Sequence, residues 1–497
     1  MPLRLAALAF LLAAAASAQD QQPPETGGIG GQNVPNASGI SGQAFTDPSQ
    51  LFTGTSGLFL GAAFNRIPGE GNYISTVVNT EFNLGPVGLG LQLPLNLLVY
   101  AEPGVNKDDI AYSGVLRKRD WDEPLDYLKL IRFIRYGQKR DPVYVLAGQL
   151  WGASIGHGTL VNRYANSLSL DHTKAGLALD INTTFFGIET LTDSLGDPAL
   201  MAARAYVRPF GDTVFLRGWA IGVTAVTDRT APQHYGAPGA RLPVLPPADA
   251  QGNPAVETNP IYAGGVDTEF ELLHNSIISL IPYVDLNRLM GAGNGLHAGI
   301  LADIYLPIPV LQLNVSARLE YRMMQPGYIP EYFDQTYDLG RLQYFGDCPK
   351  EFTGGICPKY QSAAFDHTAN GVDPGSIDRK GYYGELALGF AGLLQIGGLY
   401  QNYDGDPAGA SLGLFATFPK IEVVKIAAYY LRKNMTGLDD AFKLDERSLL
   451  AASVAYKILG PIYLRVDFQR RWVQEPGSSQ ITAVNNFQAG IATFVSF

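Results

Sequence analysis

Apolar and polar side chains alternate along short segments over most of the chain from Phe59 onward. In 311–322, Leu, Val, Ala and Tyr occupy the odd positions, and Gln, Asn, Ser, Arg and Glu occupy the even ones. Segment 462–471 is sorted in the same way except at Arg470. Because successive side chains of a β-strand point to opposite faces, this pattern predicts strands with one apolar and one polar face. A helix would scatter the same charges around its whole circumference.

Further segments repeat this sorting and are joined by connections of two kinds. Strands are predicted at 89–99, 266–272 and 296–306, and 89–99 places leucine at five alternate positions followed by Val99. Short turns are predicted at 85–88, 137–142, 210–212, 307–309, 419–420 and 459–461. Longer loops are predicted at 101–126, 152–172, 227–260, 287–295, 324–379, 434–446 and 474–483.

The long leucine-rich faces and the alternation of short and long connections favour a membrane barrel over a soluble sandwich, whose strands also alternate. We therefore predict an all-β chain, a transmembrane antiparallel up-and-down β-barrel of about 16–20 strands. The region 122–140 fits less well, since its charges also recur every three residues as on a helix. Within that region we expect a strand at 131–136, paired with 143–150.

Composition narrows the class further. The chain has 497 residues, only 16% of them charged, and its mean hydropathy is +0.02. After the first two dozen positions no apolar run is long enough for a spanning helix, which excludes a polytopic helical membrane protein. The net charge of −10 and the absence of a Lys/Arg cluster argue against nucleic acid as a partner.

The N-terminal region predicts a targeting signal followed by a flexible tail. Residues 1–18 combine Arg4, an apolar stretch and a small-residue Ala-Ser-Ala end, which is typical of a secretory signal peptide. Residues 19–57 contain no Lys or Arg and are rich in Gly, Pro and Gln, so we expect a flexible periplasmic tail or a small plug. The barrel is expected over 58–497, in a bacterial outer membrane after removal of the signal peptide.

The two cysteines lie in the longest predicted loop, 324–379. Cys348 and Cys357 are expected to form a disulfide that closes a small surface loop in an oxidising compartment. The loop is also rich in aromatic residues. Loops of this length in ordered proteins usually have a function, so it is expected to enter the pore, to cap the outer mouth or to contact a partner.

The last eleven residues carry a recognisable signal. The alternate positions hold Phe487, Ala489, Ile491, Thr493, Val495 and the terminal Phe497. This pattern resembles the C-terminal β-signal of bacterial outer-membrane proteins, porins included. The resemblance implies outer-membrane lipid as the surrounding medium and the barrel-assembly machinery as a partner, with Thr493 as a mild departure from the family pattern.

The polar strand faces would line the lumen. They place charges of both signs there, which either set electrostatic selectivity or form structural salt bridges. The expected lining residues are Glu81, Arg204, Arg208, Asp267, Glu269, Glu271, Asp303, Arg318, Glu320, Arg322, Arg465, Asp467 and Arg471.

One group of residues in the loop 152–172 has the residue types of a hydrolytic site. Ser154, His157 and Asp171 could suit an outer-membrane hydrolase, but they lie in a Gly-rich segment, where we expect a solvated loop histidine. No catalytic residue, metal site or cofactor is predicted. The sequence favours a porin-like channel for small polar solutes over a non-conducting barrel that anchors or assembles an envelope complex, with an integral hydrolase third.

Overall fold

The computed structural model describes most of the barrel region. The described residues are 56–67, 69–122, 124–139, 141–167, 174–211, 218–231, 260–275, 277–306, 312–325, 327–340, 379–390, 393–404, 409–418, 421–445, 447–474 and 481–495. The expected signal peptide, most of the N-terminal tail, both cysteines, Asp171 and Phe497 lie outside them.

Twenty long strands form one closed antiparallel sheet. In chain order they are β1 (Ser56–Ile67), β2 (Gly71–Leu84), β3 (Val87–Ala101), β4 (Ile131–Tyr136), β5 (Val143–Gly148), β6 (Gly176–Asn182), β7 (Phe186–Thr192), β8 (Leu200–Val207), β9 (Ala220–Asp228), β10 (Ile261–Glu269), β11 (Ile278–Leu289), β12 (Gly293–Leu306), β13 (Leu313–Met324), β14 (Arg379–Phe390), β15 (Leu394–Asp404), β16 (Ala410–Phe418), β17 (Val424–Met435), β18 (Ser448–Leu459), β19 (Ile462–Gln474) and β20 (Ile481–Val495).

The first and last strands close the barrel. β1 pairs antiparallel with β20 from Ser56 opposite Val495 to Phe64 opposite Phe487. Each other long strand pairs with its neighbours in sequence. The predicted barrel class is therefore confirmed, with a strand number at the upper end of the expected range.

Side chains are sorted between the two faces of the wall as their alternation predicts. On β13, Leu319 and Tyr321 are exposed on the outside, whereas Arg318, Glu320 and Arg322 are buried in the interior. β19 repeats this arrangement, with Leu464 outside and Arg465 inside. Such an apolar exterior and polar interior suit a barrel surrounded by hydrocarbon.

Connections differ between the two ends of the barrel. One end carries the turns 85–86, 183–185 and 460–461, and we call it the short-turn rim. The opposite end carries the long connections 102–130, 149–175, 229–260 and 325–378, and we call it the long-loop rim. The loop predicted at 287–295 is wrong, because β11 continues to Leu289 and β12 begins at Gly293. Gly291 adopts a positive φ of 79° that allows this tight turn.

The remaining elements are short. The α-helices are Lys107–Ile110 and Tyr337–Gly340, and the 3-10 helices are Lys118–Asp120, Pro124–Leu130 and Leu438–Asp440. Two-residue strands occur at Ala111–Tyr112, Leu116–Arg117, Val161–Asn162, Leu273–His274 and Phe333–Asp334. In the described part of the chain, no helix has the length and apolar character needed to cross a bilayer.

The ambiguous region before β4 contains both kinds of structure that its pattern allows. A 3-10 helix occupies Pro124–Leu130, and β4 follows it directly. β4 then pairs with β5, from Phe133 opposite Gly148 to Tyr136 opposite Val145. The predicted strand pair is confirmed, and of the charges that recur every three residues, Asp126 and Lys129 lie in the 3-10 helix while Arg132 and Arg135 lie on β4.

Replacing an exterior leucine with arginine tests which face meets lipid. Leu319 is 57% exposed near the middle of β13. We expect Leu319→Arg to lower the free energy of unfolding in lipid vesicles by about 2–4 kcal/mol, because the charge must enter hydrocarbon. Leu319→Ile is the control, and urea titration of the refolded barrel provides the measurement. An arginine variant as stable as the control would show that this face does not contact lipid.

Candidate functional site

Two segments from the long-loop rim turn into the barrel and pack against each other. We call residues 149–167 and 327–340 the lumenal plug. Phe333 and Asp334 pair in parallel with Val161 and Asn162. One buried apolar cluster joins the two segments to the inner wall; its plug members include Leu150, Leu160, Tyr164, Tyr328, Tyr332 and Tyr337. Of the three roles expected for the loop 324–379, its described part takes the first and enters the barrel.

The plug reaches from one rim almost to the other. Its tip, around Ser154 to His157, contacts groups near the short-turn rim. There Lys139, in the turn 137–142, donates a hydrogen bond to the carbonyl oxygen of Ser154. The backbone N–H of Gly156 donates to Glu189 Oε2 at 2.8 Å. The lumen is therefore occupied by folded chain over most of the height of this wall.

His157 joins the plug tip to the wall through two carboxylates. Its Nδ1 lies 2.8 Å from Asp285 Oδ1, and its Nε2 lies 2.8 Å from Glu269 Oε2. Its ring stacks on Tyr283 with centroids 4.0 Å apart. Burial lowers the pKa of the ring, but Asp285 and Glu269 outweigh that effect and raise the pKa to about 10. His157 is therefore a cation at neutral pH, held between two anions.

Arg204 lies beside this tip and is bound by two more carboxylates. Its Nε and Nη2 donate to Asp267 at 2.9 and 2.5 Å, which is a bidentate pair. Its Nη1 donates to Glu189 Oε1 at 3.1 Å. Glu189 also binds the plug backbone, so the wall ion pairs and the plug tip form one network.

Glu320 is the centre of a second network on β13. It accepts from Arg318 Nε at 2.7 Å and from Arg322 Nε at 2.6 Å. The hydroxyl of Tyr283 donates to it as well. Its other oxygen lies 3.3 Å from His297 Nδ1. These contacts place two arginines along one strand around one shared carboxylate, and Arg318 Nη1 also lies 3.6 Å from Glu385 Oε1 on β14.

The plug supplies charges that complete this second network. Arg322 Nη2 donates to Glu331 of the plug at 2.8 Å. Arg163 of the plug forms an ion pair with Glu385 on β14. Arg163 and Glu331 both have left-handed backbone, with φ of 55° and 53°. Non-glycine residues rarely adopt this conformation, which costs on the order of 1 kcal/mol or more. Their ion pairs hold it in place.

The other expected lining residues lie in smaller groups. Glu81 on β2 pairs with Arg132 on β4 at 2.5 Å. Asp303 on β12 accepts from Ser316 Oγ at 2.5 Å. Arg465 and Asp467 pair with each other on β19 at 2.9 Å. Glu81 and Arg465 thus have opposite charges of the wall as partners, whereas Asp303 is bound by a neutral hydroxyl.

Three expected lining residues fall near the ends of the wall. Arg208 follows β8 at the short-turn rim and donates to Asn182 Oδ1 at 2.9 Å. Glu271 follows β10 at the same rim and packs against Gly218, where any Cβ would lie 2.4 Å from its carboxyl carbon. Arg471 lies on β19, and its side chain is outside the described set.

The described residues of the C-terminal assembly signal lie on β20, the strand that closes the barrel by pairing with β1. Phe487 and Ile491 are exposed on the outer face of β20. Val495 pairs with Ser56 at the short-turn rim. The order of apolar positions along β20 is therefore that of a lipid-facing strand, as the C-terminal pattern predicts.

Several partners of these residues were not expected from the sequence. Asp285, Glu331 and Glu385 complete the networks, and Arg163 comes from a loop. For Asp285 and Glu385 the alternation of apolar and polar positions along the strand is a usable sequence signal, since both occupy inward positions, on β11 and β14. Nothing local indicates that residues of a Gly-rich loop would meet a strand 128 positions away in the chain.

The interpretation of His157 as a solvated loop histidine is wrong, since His157 is 7% exposed. Both of its ring nitrogens contact carboxylates, and Ser154 Oγ instead contacts Asn162 Oδ1 at 3.3 Å. Donor atoms of His157, Asp267 and Asp285 lie within 4.8 Å of one another, a spacing that a metal ion could use. Because Arg204 and the His157 cation already neutralise these carboxylates, we describe the group as an ion-pair network.

Comparisons with known proteins were made at the levels of family, curated sequence and structure. No family model and no curated protein matches the chain. Solved structures that resemble it include outer-membrane barrels. The fold is a closed antiparallel β-barrel.

Three such structures show the degree of similarity. A mutant of the Rh. blastica porin has 11% identity and a TM-score of 0.28, covering 64% of this chain and 89% of that one. Wzi, described as a carbohydrate-binding outer-membrane barrel involved in Escherichia coli capsule assembly, has 10% identity and a TM-score of 0.34, covering 93% and 90%. Pseudomonas aeruginosa OccK5 has 12% identity and a TM-score of 0.31, covering 89% and 99%. The barrel assignment itself rests on the closed strand pairing.

Removing the His157 ring should release the plug tip. We expect His157→Ala to weaken local stability by about 3–5 kcal/mol, because it leaves buried carboxylates without their counter-charge. Hydrogen exchange of the amides of 154–158 provides the measurement and should become much faster. His274→Ala, which changes an exposed histidine near the short-turn rim, is the control. Unchanged exchange in His157→Ala would show that the ion pairs do not hold the tip.

The pKa of His157 tests the same contact of its ring with Asp285 and Glu269. The pKa of His157 is raised from 6.5 to about 10. The stabilisation that its positive charge gives to the plug tip is therefore complete below about pH 6.5 and is lost as the pH rises through about 10. NMR of the His157 ring in the refolded barrel should show a midpoint near 10. A midpoint at or below 6.5 would contradict the two-carboxylate geometry.

Proposed function

We propose that the protein is an outer-membrane channel that admits small polar solutes through a lumen narrowed by the plug. The observation that carries this proposal is the asymmetric filling of the barrel. The plug is bound to charged side chains on β7, β10, β11, β13 and β14. Around β18–β20 and β1–β3 the inner face carries hydroxyl and amide side chains together with ion pairs that do not involve the plug, Glu81 with Arg132 and Arg465 with Asp467. A polar lumen wall of this kind suits passage of polar solutes.

The proposed location is a bacterial outer membrane, and the exterior of the barrel supports it. The apolar outer face requires hydrocarbon around it. Export through a removed signal peptide over 1–18, insertion by the barrel-assembly machinery and a Cys348–Cys357 disulfide are parts of this proposal. All three suit a chain that crosses an oxidising compartment before it inserts.

The proposal assigns the protein no enzymatic activity. The charged groups around His157 are bound in ion pairs, His157 with Asp285 and Glu269 and Arg204 with Asp267. Their contacts support a role in fixing the position of the plug.

A second function has one observation in its favour. The plug is bound through three separate ion-paired contacts, at His157, Arg163 and Glu331. Such binding also suits a barrel that stays closed and serves as an anchor or assembly component in an envelope complex. Conductance distinguishes the two functions.

Planar-bilayer recordings test the channel. We expect the wild-type barrel to show small, steady conductance steps, and His157→Ala/Arg163→Ala to enlarge them several-fold because two of the plug's contacts are removed. Arg229→Ala, which changes a half-exposed arginine of a long loop, should leave the steps unchanged. If neither the wild type nor the double variant conducts, the channel proposal is wrong and the closed barrel is supported.

A further inference from the structure

One arginine faces outward from the barrel wall and, within the described part of the chain, forms no hydrogen bond or ion pair. On β19, Arg470 continues the outward positions of Leu464 and Phe468, and the exposed Asn485 lies opposite it on β20. Its Nε is buried without an acceptor, but the side chain as a whole is only half-buried, so the end of the guanidinium is accessible from outside. The guanidinium carbon lies 5.2 Å from the centroid of the Trp472 ring. That contact orients the cation and supplies no hydrogen-bond acceptor.

Other arginines near the long-loop rim have carboxylate partners in the protein. Arg66 on β1 forms an ion pair with Glu102 at 3.1 Å. Arg432 on β17 forms one with Asp445 of the loop that follows. Arg470 has no such pair with a described carboxylate. Because a cation on a lipid-facing wall is unfavourable without a counter-charge, an anion from the surroundings would stabilise it there.

The loop between β17 and β18 lies against the outside of the wall, at the same rim. Tyr429 faces the interior, where its hydroxyl accepts from Gln335 Nε2 of the plug at 3.1 Å. Its neighbour Tyr430 therefore faces outward. The Tyr430 hydroxyl donates to the carbonyl oxygen of Ala441 at 2.8 Å, and the ring stacks on Phe442 with centroids 5.9 Å apart. These contacts hold the middle of the loop on the lipid-facing side.

The outer surface of this loop is apolar except for one lysine. Leu438 and Phe442 are 73% and 70% exposed, although each lies in an ordered part of the loop. Lys443 is exposed between Phe442 and Leu444, and it forms no ion pair with a described residue. The loop therefore offers a surface for hydrocarbon with a cation beside it.

The loop and Arg470 stand at the same level of the barrel. Register places Tyr430 opposite Leu450, and Leu450 opposite Arg470. Two strand spacings amount to about 10 Å. The carbonyl oxygen of Lys443 lies 3.1 Å from the Tyr430 hydroxyl, so both cations belong to one region of the outer wall. We call Leu438, Phe442, Lys443, Arg470 and Trp472 the outer patch.

The chemistry of the outer patch selects its occupant. The planar guanidinium of arginine matches the geometry of a phosphate group. Exposed leucine and phenylalanine suit an acyl chain, and tryptophan favours the level of lipid headgroups. We propose that the outer patch binds a lipid whose headgroup carries an anionic phosphate, with the phosphate on Arg470 and an acyl chain along the loop. A zwitterionic headgroup carries its own cation and binds less well. The proposal does not depend on whether the barrel conducts.

The fluorescence of Trp472 reports which lipid lies beside Arg470. Full-length refolded protein is placed in phosphatidylcholine vesicles that contain an equal, small fraction of brominated phosphatidylglycerol or brominated phosphatidylcholine. The Trp472 signal is the difference between the wild type and Trp472→Phe. We expect the brominated phosphatidylglycerol to quench this signal several-fold more strongly than the brominated phosphatidylcholine. Equal quenching by the two lipids would overturn the proposal and show that Arg470 only reaches toward water.

Variants locate the phosphate. We expect Arg470→Gln to abolish the preference for phosphatidylglycerol, Arg470→Lys to keep part of it, and Lys443→Gln to weaken it. Arg229→Gln removes the same charge from another loop of this rim, between β9 and β10, and is the matched control that should keep the preference. A preference that survives in Arg470→Gln would contradict the assignment.

An excess of water-soluble glycerol phosphate distinguishes a lipid from a free phosphate. We expect the preference to persist in its presence, because glycerol phosphate has no acyl chain to contact Leu438 and Phe442. Loss of the preference would show that the site takes free phosphate, and the lipid proposal would then be wrong.

Discussion

Charged side chains inside the barrel must be paired, and the plug completes their pairing. Arg322 on β13 reaches Glu331 of the plug, and Glu385 on β14 reaches Arg163 of the plug. Asp285 and Glu269 receive the cation of His157. A buried charge without a partner costs several kcal/mol. The ion pairs between the wall and the plug therefore stabilise both, and the inserted loops are part of the folded barrel.

This constraint divides the lumen into two unlike sides. On the side of β7–β14 the interior is dense with ion pairs, and left-handed backbone at Arg163 and Glu331 is held in place by them. On the side of β18–β20 and β1–β3 the inner face carries small side chains such as Ala63, Ser75 and Ser453 beside the paired charges of Arg465 and Asp467. The ion pairs that hold the plug therefore lie on the side of β7–β14.

The sequence predicts the wall well and the plug poorly, for a physical reason. Alternation is local, so β13 and β19 could be predicted with the correct face for each residue. The contacts of His157 are not local, and a Gly-rich loop has no periodicity that shows which strands it meets. The loop expected at 287–295 fails for a related reason, because a positive φ at Gly291 allows a much tighter turn than composition suggests. Of the lining residues, those paired along or between adjacent strands could be anticipated, such as Arg318 with Glu320. Those paired with the plug could not.

The pairing of β1 with β20 affects the order in which the barrel can assemble. Leu58 and Thr493 are hydrogen-bonded although 435 positions separate them, so the cylinder cannot be completed until the last strand has been synthesised. Contacts of such high sequence separation form slowly. Until β20 docks, β1 and β19 present two open edges that can pair with other chains. Docking of β20 between β1 and β19 removes both edges at once, so closure of the cylinder also ends the exposure of unpaired backbone.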